Sequence, residues 1–463
     1  MGESTSVRQL WITEFTQTLG LAWPLVIAQL AQMALVTTDV IMMGWLGPDE
    51  LAAGTLASSF LTSLLLFGVG LLSAVVPMVA QAIGARDFRS VRRSTRQGFW
   101  VALAASALLI PIILQVRPVL TLLGQDPALV TLAETYIHAA VWLFIPALLI
   151  IVLRSFLSAH GNTSVILWVT VIGVFVNAFG DYALMFGNFG FPRLELTGAG
   201  ISTVVVNTVM FALLLAYVLR HRRYRRYVIL GRFWRPDWHR FREILRVGLP
   251  IGLMLLAEVG LFAVSSILMG WLGTAELAAH AVALQCASIA FMVPLGLSQA
   301  ATVRAGIAFG RRLTADIGRA GVAALVLGSA FMSSTALLFV FAPLPLIHFY
   351  LDPANPANAA VISLAAAYLA VAGLFQLVDG AQVVLAGTLR GMSDTRVPMY
   401  VAICGYWLVG LPVALLLGFP LGMRGTGVWL GLASGLAFVA LVLGARFARL
   451  LRSGSAPAIA AGT

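Results

Sequence analysis

The chain has 463 residues, of which 60% are hydrophobic and only 10% charged, with a formal net charge of +11. Soluble domains carry roughly 25% charged residues, so this composition excludes a soluble globular fold. It also argues against nucleic acid as a partner, because all 29 basic residues are arginines and their placement follows the ends of apolar runs instead of a binding face.

In chain order, apolar runs cover 20–45, 54–78, 97–118, 132–153, 165–187 and 198–219, then 247–272, 280–304, 320–343, 362–387, 397–418 and 425–448. Each is long enough to cross about 30 Å of hydrocarbon as a helix. Backbone polar groups cannot be left open in lipid, and the ten-residue alternation of a membrane β-barrel is absent. The expected fold is therefore all-α and integral to the membrane, with twelve transmembrane helices. The N-terminal arm is polar and the first apolar run too long for a cleavable signal peptide. Cys286 and Cys404 fall inside apolar runs with no metal-ligand spacing and read as packing residues.

With the N-terminus inside, 26 arginines lie on the inner side and only Arg117, Arg193 and Arg424 on the other. This bias places both termini in the cytoplasm. The stretch from Arg220 to Arg246 interleaves ten arginines with Tyr224, Tyr227, Phe233, Trp234 and Trp238. It reads as a cytoplasmic connector lying against anionic head groups.

The chain repeats itself. A shift of 226 residues sets Pro24 on Pro250 and Gly84 on Gly310, and it sets Met43-Gly-Trp-Leu-Gly47 on Met269-Gly-Trp-Leu-Gly273. Later the shift becomes 232, pairing Tyr136 with Tyr368 and Thr163 with Thr395. Two six-helix bundles in the same orientation follow, related by a pseudo-two-fold axis along the membrane normal. The expected domains are an N-lobe over 1–219, a basic connector over 220–246, a C-lobe over 247–452 and a tail over 453–463.

Four acids fall well inside the spans: Asp39, Asp181, Glu258 and Asp379. A carboxylate at the centre of a membrane helix costs about 2.5 to 3.5 kcal/mol on insertion scales and marks a functional candidate. The repeat sets Ser265 opposite Asp39, Gln32 opposite Glu258, Ala147 opposite Asp379 and Val413 opposite Asp181. The scaffold tolerates an uncharged residue at each equivalent place. Asn177 and Asp181 stand one helical turn apart. With Asp39 and Thr203 they make an all-oxygen set suited to a hard cation such as sodium. Glu258 and Asp379 lie in reach of Gln285, Gln376 or Gln382 as hydrogen-bonding partners, and no arginine is expected near mid-span to neutralise any of the four. Phe375, one turn before Asp379, offers a ring face to a cation. Pro24 and Pro250 are the candidate hinges, each on the span that carries Asp39 or Glu258. The six histidines form no HExxH pair, and no nucleophile elbow or phosphate-cradling loop appears.

These residues resemble the multidrug and toxic compound extrusion family, in its NorM-like branch. The resemblance covers about 430 residues and rests on Met43-Gly-Trp-Leu-Gly47 with Leu51-Ala-Ala53, on Asp39 and Glu258, and on Phe375-Gln-Leu-Val-Asp379 followed by Leu389-Arg-Gly-Met-Ser-Asp-Thr395. It implies a cation-coupled antiporter of the bacterial inner membrane, with no enzyme activity and no cofactor beyond a coupling ion, Na+ or H+. It implies expulsion of organic cations and other amphipathic toxic compounds by alternating access, by a monomer in membrane lipid. Asp39, Asn177, Asp181 and Thr203 match the family's N-lobe cation site, and Glu258 and Asp379 its C-lobe site. Asp39, Gln32, Gln285, Phe375 and Asp379 are the expected substrate contacts, near a cavity shared by the lobes. Two alternatives stand beside this reading: a flippase for lipid-linked sugars and a membrane-embedded enzyme.

Overall fold

The computed structural model describes residues 7–122, 124–231 and 233–453. Among these residues there is no strand, and twelve helices are long and apolar enough to cross a membrane. They are α1 (Val7–Leu46), α2 (Pro48–Gly84), α3 (Phe88–Ile113), α4 (Pro127–Ala159), α5 (Ser164–Phe186) and α6 (Glu195–Arg220), then α7 (Trp238–Leu272), α8 (Thr274–Gly310), α9 (Thr314–Phe341), α10 (Pro356–Gly391), α11 (Arg396–Gly418) and α12 (Arg424–Arg452). Every expected span is found in order, and the longest extend well past the apolar run that signalled them. The tail expected over 453–463 lies, from residue 454, outside the described residues.

The repeated Gly-x-x-Glu turns show why the two halves begin alike. Gly47 and Gly273 each join two long helices with no further linker, and a Cβ there would lie 2.3 Å from Glu50 Oε2 or 2.5 Å from Glu276 Oε2. The glutamate three residues on folds back over the bare glycine. An acid in the first helical turn also suits the positive end of the helix dipole.

The chain forms two compact units, Ile27–Gly252 and Leu253–Thr463, the second joined by Met1–Val26. These differ from the lobes expected at 1–219 and 247–452, because α1 and α7 are each divided between the units. Each crossing falls two residues after a proline, Pro24 or Pro250. Glycine packing gives the physical reason. A Cβ on Gly248 would lie 2.0 Å from the Leu71 carbonyl oxygen, and one on Gly70 2.5 Å from Gly252 Cα, so the start of α7 lies backbone to backbone on α2. At the repeat-equivalent place, a Cβ on Gly296 of α8 would meet Val26 Cγ2 at 2.5 Å. Arg304 of α8 also donates through Nε to Glu14 at 2.9 Å. The same exchange thus occurs twice, in register with the 226-residue repeat.

Within the second unit, α8 and α10 share a seam of small residues. Ser298 Oγ donates to the Val383 carbonyl at 2.7 Å and Thr302 Oγ1 to that of Gly387 at 2.8 Å. Gly387 and Gly391 leave room for this approach, as small residues do between membrane helices. In α11 the segment Cys404–Gly410 is a π-helix, a form that recurs at functional sites.

The connector is fastened to the first unit. Trp100 Nε1 donates to the Phe233 carbonyl at 2.9 Å and the two rings stack. Arg93 Nε bonds Asp237 at 2.6 Å. Tyr224 and Tyr227 are buried edge-on to His160, which is itself 7% exposed. His160 Nδ1 donates to the Phe156 carbonyl at 2.7 Å. Burial holds the His160 pKa down near 4, with the Phe156 bond opposing and the guanidinium groups of Arg223 and Arg226 adding to the depression. The imidazole is therefore neutral at pH 7 in the folded protein. An unfolded histidine titrates near 6.5, so the docked connector has its full stability above that pH and loses it as the pH falls toward 4. His160→Phe should accordingly lose less melting temperature between pH 7 and pH 5 than the parent chain. Equal losses in the two proteins would reject this assignment.

Candidate functional site

In the first unit the sequence-selected residues come together. Asn177 Nδ2 donates to Asp39 Oδ1 at 2.8 Å, so α5 and α1 are joined at the carboxylate. Asp181, fully buried, sits one turn further along α5 with its carboxylate beside that of Asp39. Both Asp181 oxygens, Asn177 Oδ1 and Ser202 Oγ face one another and Asp39 without a well-formed hydrogen bond among the described residues. Four such oxygens in one buried cluster fit a hard cation or protons, which such oxygen donors receive. Thr203 is only half-buried, and its hydroxyl donates to the Ala199 carbonyl at 3.0 Å. Its lone pairs remain available to the cluster.

Three residues not selected from the sequence complete this cluster. Ser202 lies against α5 where Gly180 leaves space: a Cβ there would be 2.6 Å from Ser202 Oγ. The buried Tyr136 hydroxyl accepts from Ser58 Oγ at 3.3 Å and neighbours Thr203 and Asp39. The one signal that pointed to Tyr136 was its recurrence as Tyr368 in the repeat. Ser58 and Ser202 carried none.

In the second unit, Gln382 joins the two acids. Its Nε2 donates to Glu258 Oε1 at 3.3 Å and to Asp379 Oδ1 at 3.4 Å, while its Oε1 accepts from the Tyr406 hydroxyl at 3.1 Å. Tyr406 belongs to the π-helical segment of α11, and the neighbouring Trp407 donates to the Ala257 carbonyl at 3.2 Å. Of the three glutamines considered from the sequence, only Gln382 reaches the acids. Gln376 donates to the Met332 carbonyl at 3.5 Å instead. No arginine was expected near mid-span; Arg390 stands in the last turn of α10, which continues to Gly391, and from there it interacts electrostatically with Glu258. The first unit likewise holds Arg154 inside α4, donating to Gln29 of α1 at 3.2 Å.

The expected substrate contacts are less uniform. Asp379 is 5% exposed and Asp39 half-buried, Gln32 is exposed, and Gln285 is half-buried. Phe375 is 2% exposed, with Phe262 and Trp429 edge-on at 6.1 and 5.3 Å. In this conformation its ring is not open to a ligand. Ser265, the repeat partner of Asp39, contacts His280 Nε2 at 3.4 Å. The second unit has therefore filled the equivalent place with neutral side chains. Among the described residues no group of three or more His, Cys, Asp or Glu is disposed to hold a metal.

Two units of apolar spans, each enclosing a polar cluster with two carboxylates, define a multi-pass membrane protein with polar sites inside its spans. Residues 24–183 and 250–416 match the MatE family, and the chain belongs to it. It is 47% identical to the probable multidrug resistance protein NorM of Rhizobium meliloti (strain 1021) over 446 residues, 96% of both chains. It is 46% identical to the protein of the same description from Mesorhizobium japonicum, covering 98% of this chain and 97% of that one. The fold is that of the eukaryotic MATE transporter AtDTX14, with a TM-score of 0.84 at 21% identity over 96% of this chain and 98% of that one. An outward-facing MATE transporter of the MOP superfamily aligns with a TM-score of 0.86 at 19% identity over 95% and 96% of the two chains.

Proposed function

We propose that the protein is a cation-coupled multidrug efflux antiporter of the bacterial inner membrane, with both termini cytoplasmic. The observation that carries this reading is the pair of buried carboxylate clusters, Asp39–Asn177–Asp181 and Glu258–Gln382–Asp379, one in each unit. The relatives' description as multidrug resistance proteins supports organic cations and amphipathic toxic compounds as substrates. The arginine bias supports the orientation.

Adjacent carboxylates in a low-dielectric interior need a cation or a proton to balance them. Na+ or H+ bound at Asp39, Asn177 and Asp181, with Thr203 assisting, neutralises the first cluster. A proton or cation at Glu258 and Asp379 does the same for the second. A cationic drug binds best where these carboxylates are uncompensated, so entry of the coupling ion favours its release. An ion drives this exchange only through its different affinity for the two access states. The crossings of α1 and α7 beyond Pro24 and Pro250 are the places for the backbone to flex between those states. The protein acts as a monomer in membrane lipid.

Expression in a drug-sensitive bacterium, with ethidium accumulation followed while external sodium and pH are varied separately, tests this reading. Accumulation should fall relative to cells lacking the protein, and its rate should respond to one ion or both. Accumulation indifferent to the protein's presence would reject drug efflux, and indifference to both ions would reject coupling.

A further inference from the structure

Away from both carboxylate clusters, the first unit has a cavity of about 520 Å³ between α4 and α6. Its walls change character along α4. Glu134, His138 and Thr197 line one end, and Ala139, Trp142 and Ile201 the other. Glu134 lies seven residues into α4, and Trp142 a further eight, about 12 Å along the axis. A 3-10 turn over Val141–Leu143 interrupts α4 at the apolar end, where Trp142 is 52% exposed. This order, polar groups near the helix start and apolar walls deeper, is that of a head group above acyl chains.

The polar rim is specific. Arg117, on the short helix Val116–Leu122, bonds Glu134 Oε2 through both Nε at 2.9 Å and Nη2 at 2.5 Å. His138 Nε2 donates to the Leu114 carbonyl at 3.2 Å and stands 4.0 Å from Glu134 Oε1. Glu134 Oε1 and Arg117 Nη1 hold no hydrogen bond to another described residue, and both side chains reach the surface, 21% and 53% exposed. The pair is formally neutral, with one free acceptor on a carboxylate beside one free donor on a guanidinium. An anionic head group such as phosphatidylglycerol would offer the carboxylate a neutral hydroxyl donor at most and no positive charge. A zwitterion carrying a primary ammonium next to a phosphate satisfies both atoms at once.

We infer that this cavity binds a zwitterionic aminophospholipid of the phosphatidylethanolamine type, its ammonium on Glu134, its phosphate on Arg117 and an acyl chain against Trp142 and Ile201. Placing the site in the outer leaflet rests on the proposed topology; the binding chemistry does not. The lipid lies across the α4–α6 seam from the cation cluster. Thr135 flanks Tyr136, Ile201 adjoins Ser202, and a Cβ on Gly200 would touch Ala139 at 2.8 Å.

The full-length protein, reconstituted with equal amounts of phosphatidylethanolamine, phosphatidylcholine and phosphatidylglycerol, can be assayed for retained lipid by native mass spectrometry. Phosphatidylethanolamine should be held about fivefold over the others, the discrimination that about 1 kcal/mol from a partly exposed charged contact provides. Glu134→Gln should abolish the preference. Ile201→Trp, which narrows the apolar end of the cavity without touching the ion pair, should abolish retention at an unchanged melting temperature. Equal retention of the three lipids by the parent chain would overturn the proposal. So would a preference that survives in Glu134→Gln or a lipid that stays bound in Ile201→Trp. Because lipid is counted on purified protein, either outcome is independent of whether the chain transports drugs.

Discussion

Asp39→Asn should reduce cation-driven ethidium efflux to the level of cells lacking the protein, with insertion and melting temperature unchanged. Asparagine can still accept the Asn177 Nδ2 bond that Asp39 Oδ1 receives at 2.8 Å, so the helix contact survives while the charge is lost. Asp181→Asn should give the same loss of transport with equal or greater stability, because Asp181 is fully buried beside a second carboxylate with neither oxygen in a well-formed hydrogen bond among the described residues. A buried acceptor without a partner costs about 1 to 3 kcal/mol, and an ionised one costs more. A residue retained at that cost for packing alone would leave a protein that is less stable when it is replaced. Efflux at the parent rate in Asp39→Asn would defeat the coupling role of the first cluster.

The second large effect concerns Gln382. Glu258→Gln and Asp379→Asn should each abolish coupled efflux through loss of charge. Gln382→Leu should both abolish efflux and destabilise the protein. Its single amide nitrogen serves both carboxylates, and its oxygen receives the Tyr406 hydroxyl. Leucine leaves the buried Asp379 and Tyr406 short of a partner at about 1 to 3 kcal/mol each, and the half-buried Glu258 as well. A lower melting temperature in Gln382→Leu with near-parent values in Glu258→Gln and Asp379→Asn would separate the group that positions from the groups that carry charge. Efflux preserved in Gln382→Leu would show that the two acids do not act through this bridge.

Much of this was legible in the sequence, for identifiable reasons. Asp39, Asp181, Glu258 and Asp379 stood out because a carboxylate in an apolar run has almost no structural use. Asn177 followed from its one-turn spacing to Asp181. The shift of 226 residues even encodes the exchange of helix ends, since Gly70 and Gly296 are equivalent positions, as are Val26 and Gly252. It could not be read as such, because a repeat shows which residues correspond but not which copy they pack on. Tyr136, Ser58 and Ser202 were hidden for the opposite reason: hydroxyls are cheap in membrane helices and carry no periodic signature. Tyr406 was placed by a π-helical turn that alters the face it presents, and a 3.6-residue periodicity cannot anticipate such a turn. Arg390 was missed because apolarity ends before the helix does. The chemical asymmetry has a structural counterpart, with His280 beside Ser265 in the second unit where the first has Asp39 beside Asp181.

The central claim is that a cation entering at the buried carboxylates drives drug movement in the opposite direction. Purified protein in sealed proteoliposomes, with a sodium or proton gradient as the sole energy source, tests it most directly. Ethidium should move against its own gradient, opposite to the imposed ion, with the parent chain and not with Asp39→Asn or Asp379→Asn. Ethidium movement that is unaffected by either gradient, or equally fast in both variants, would contradict it.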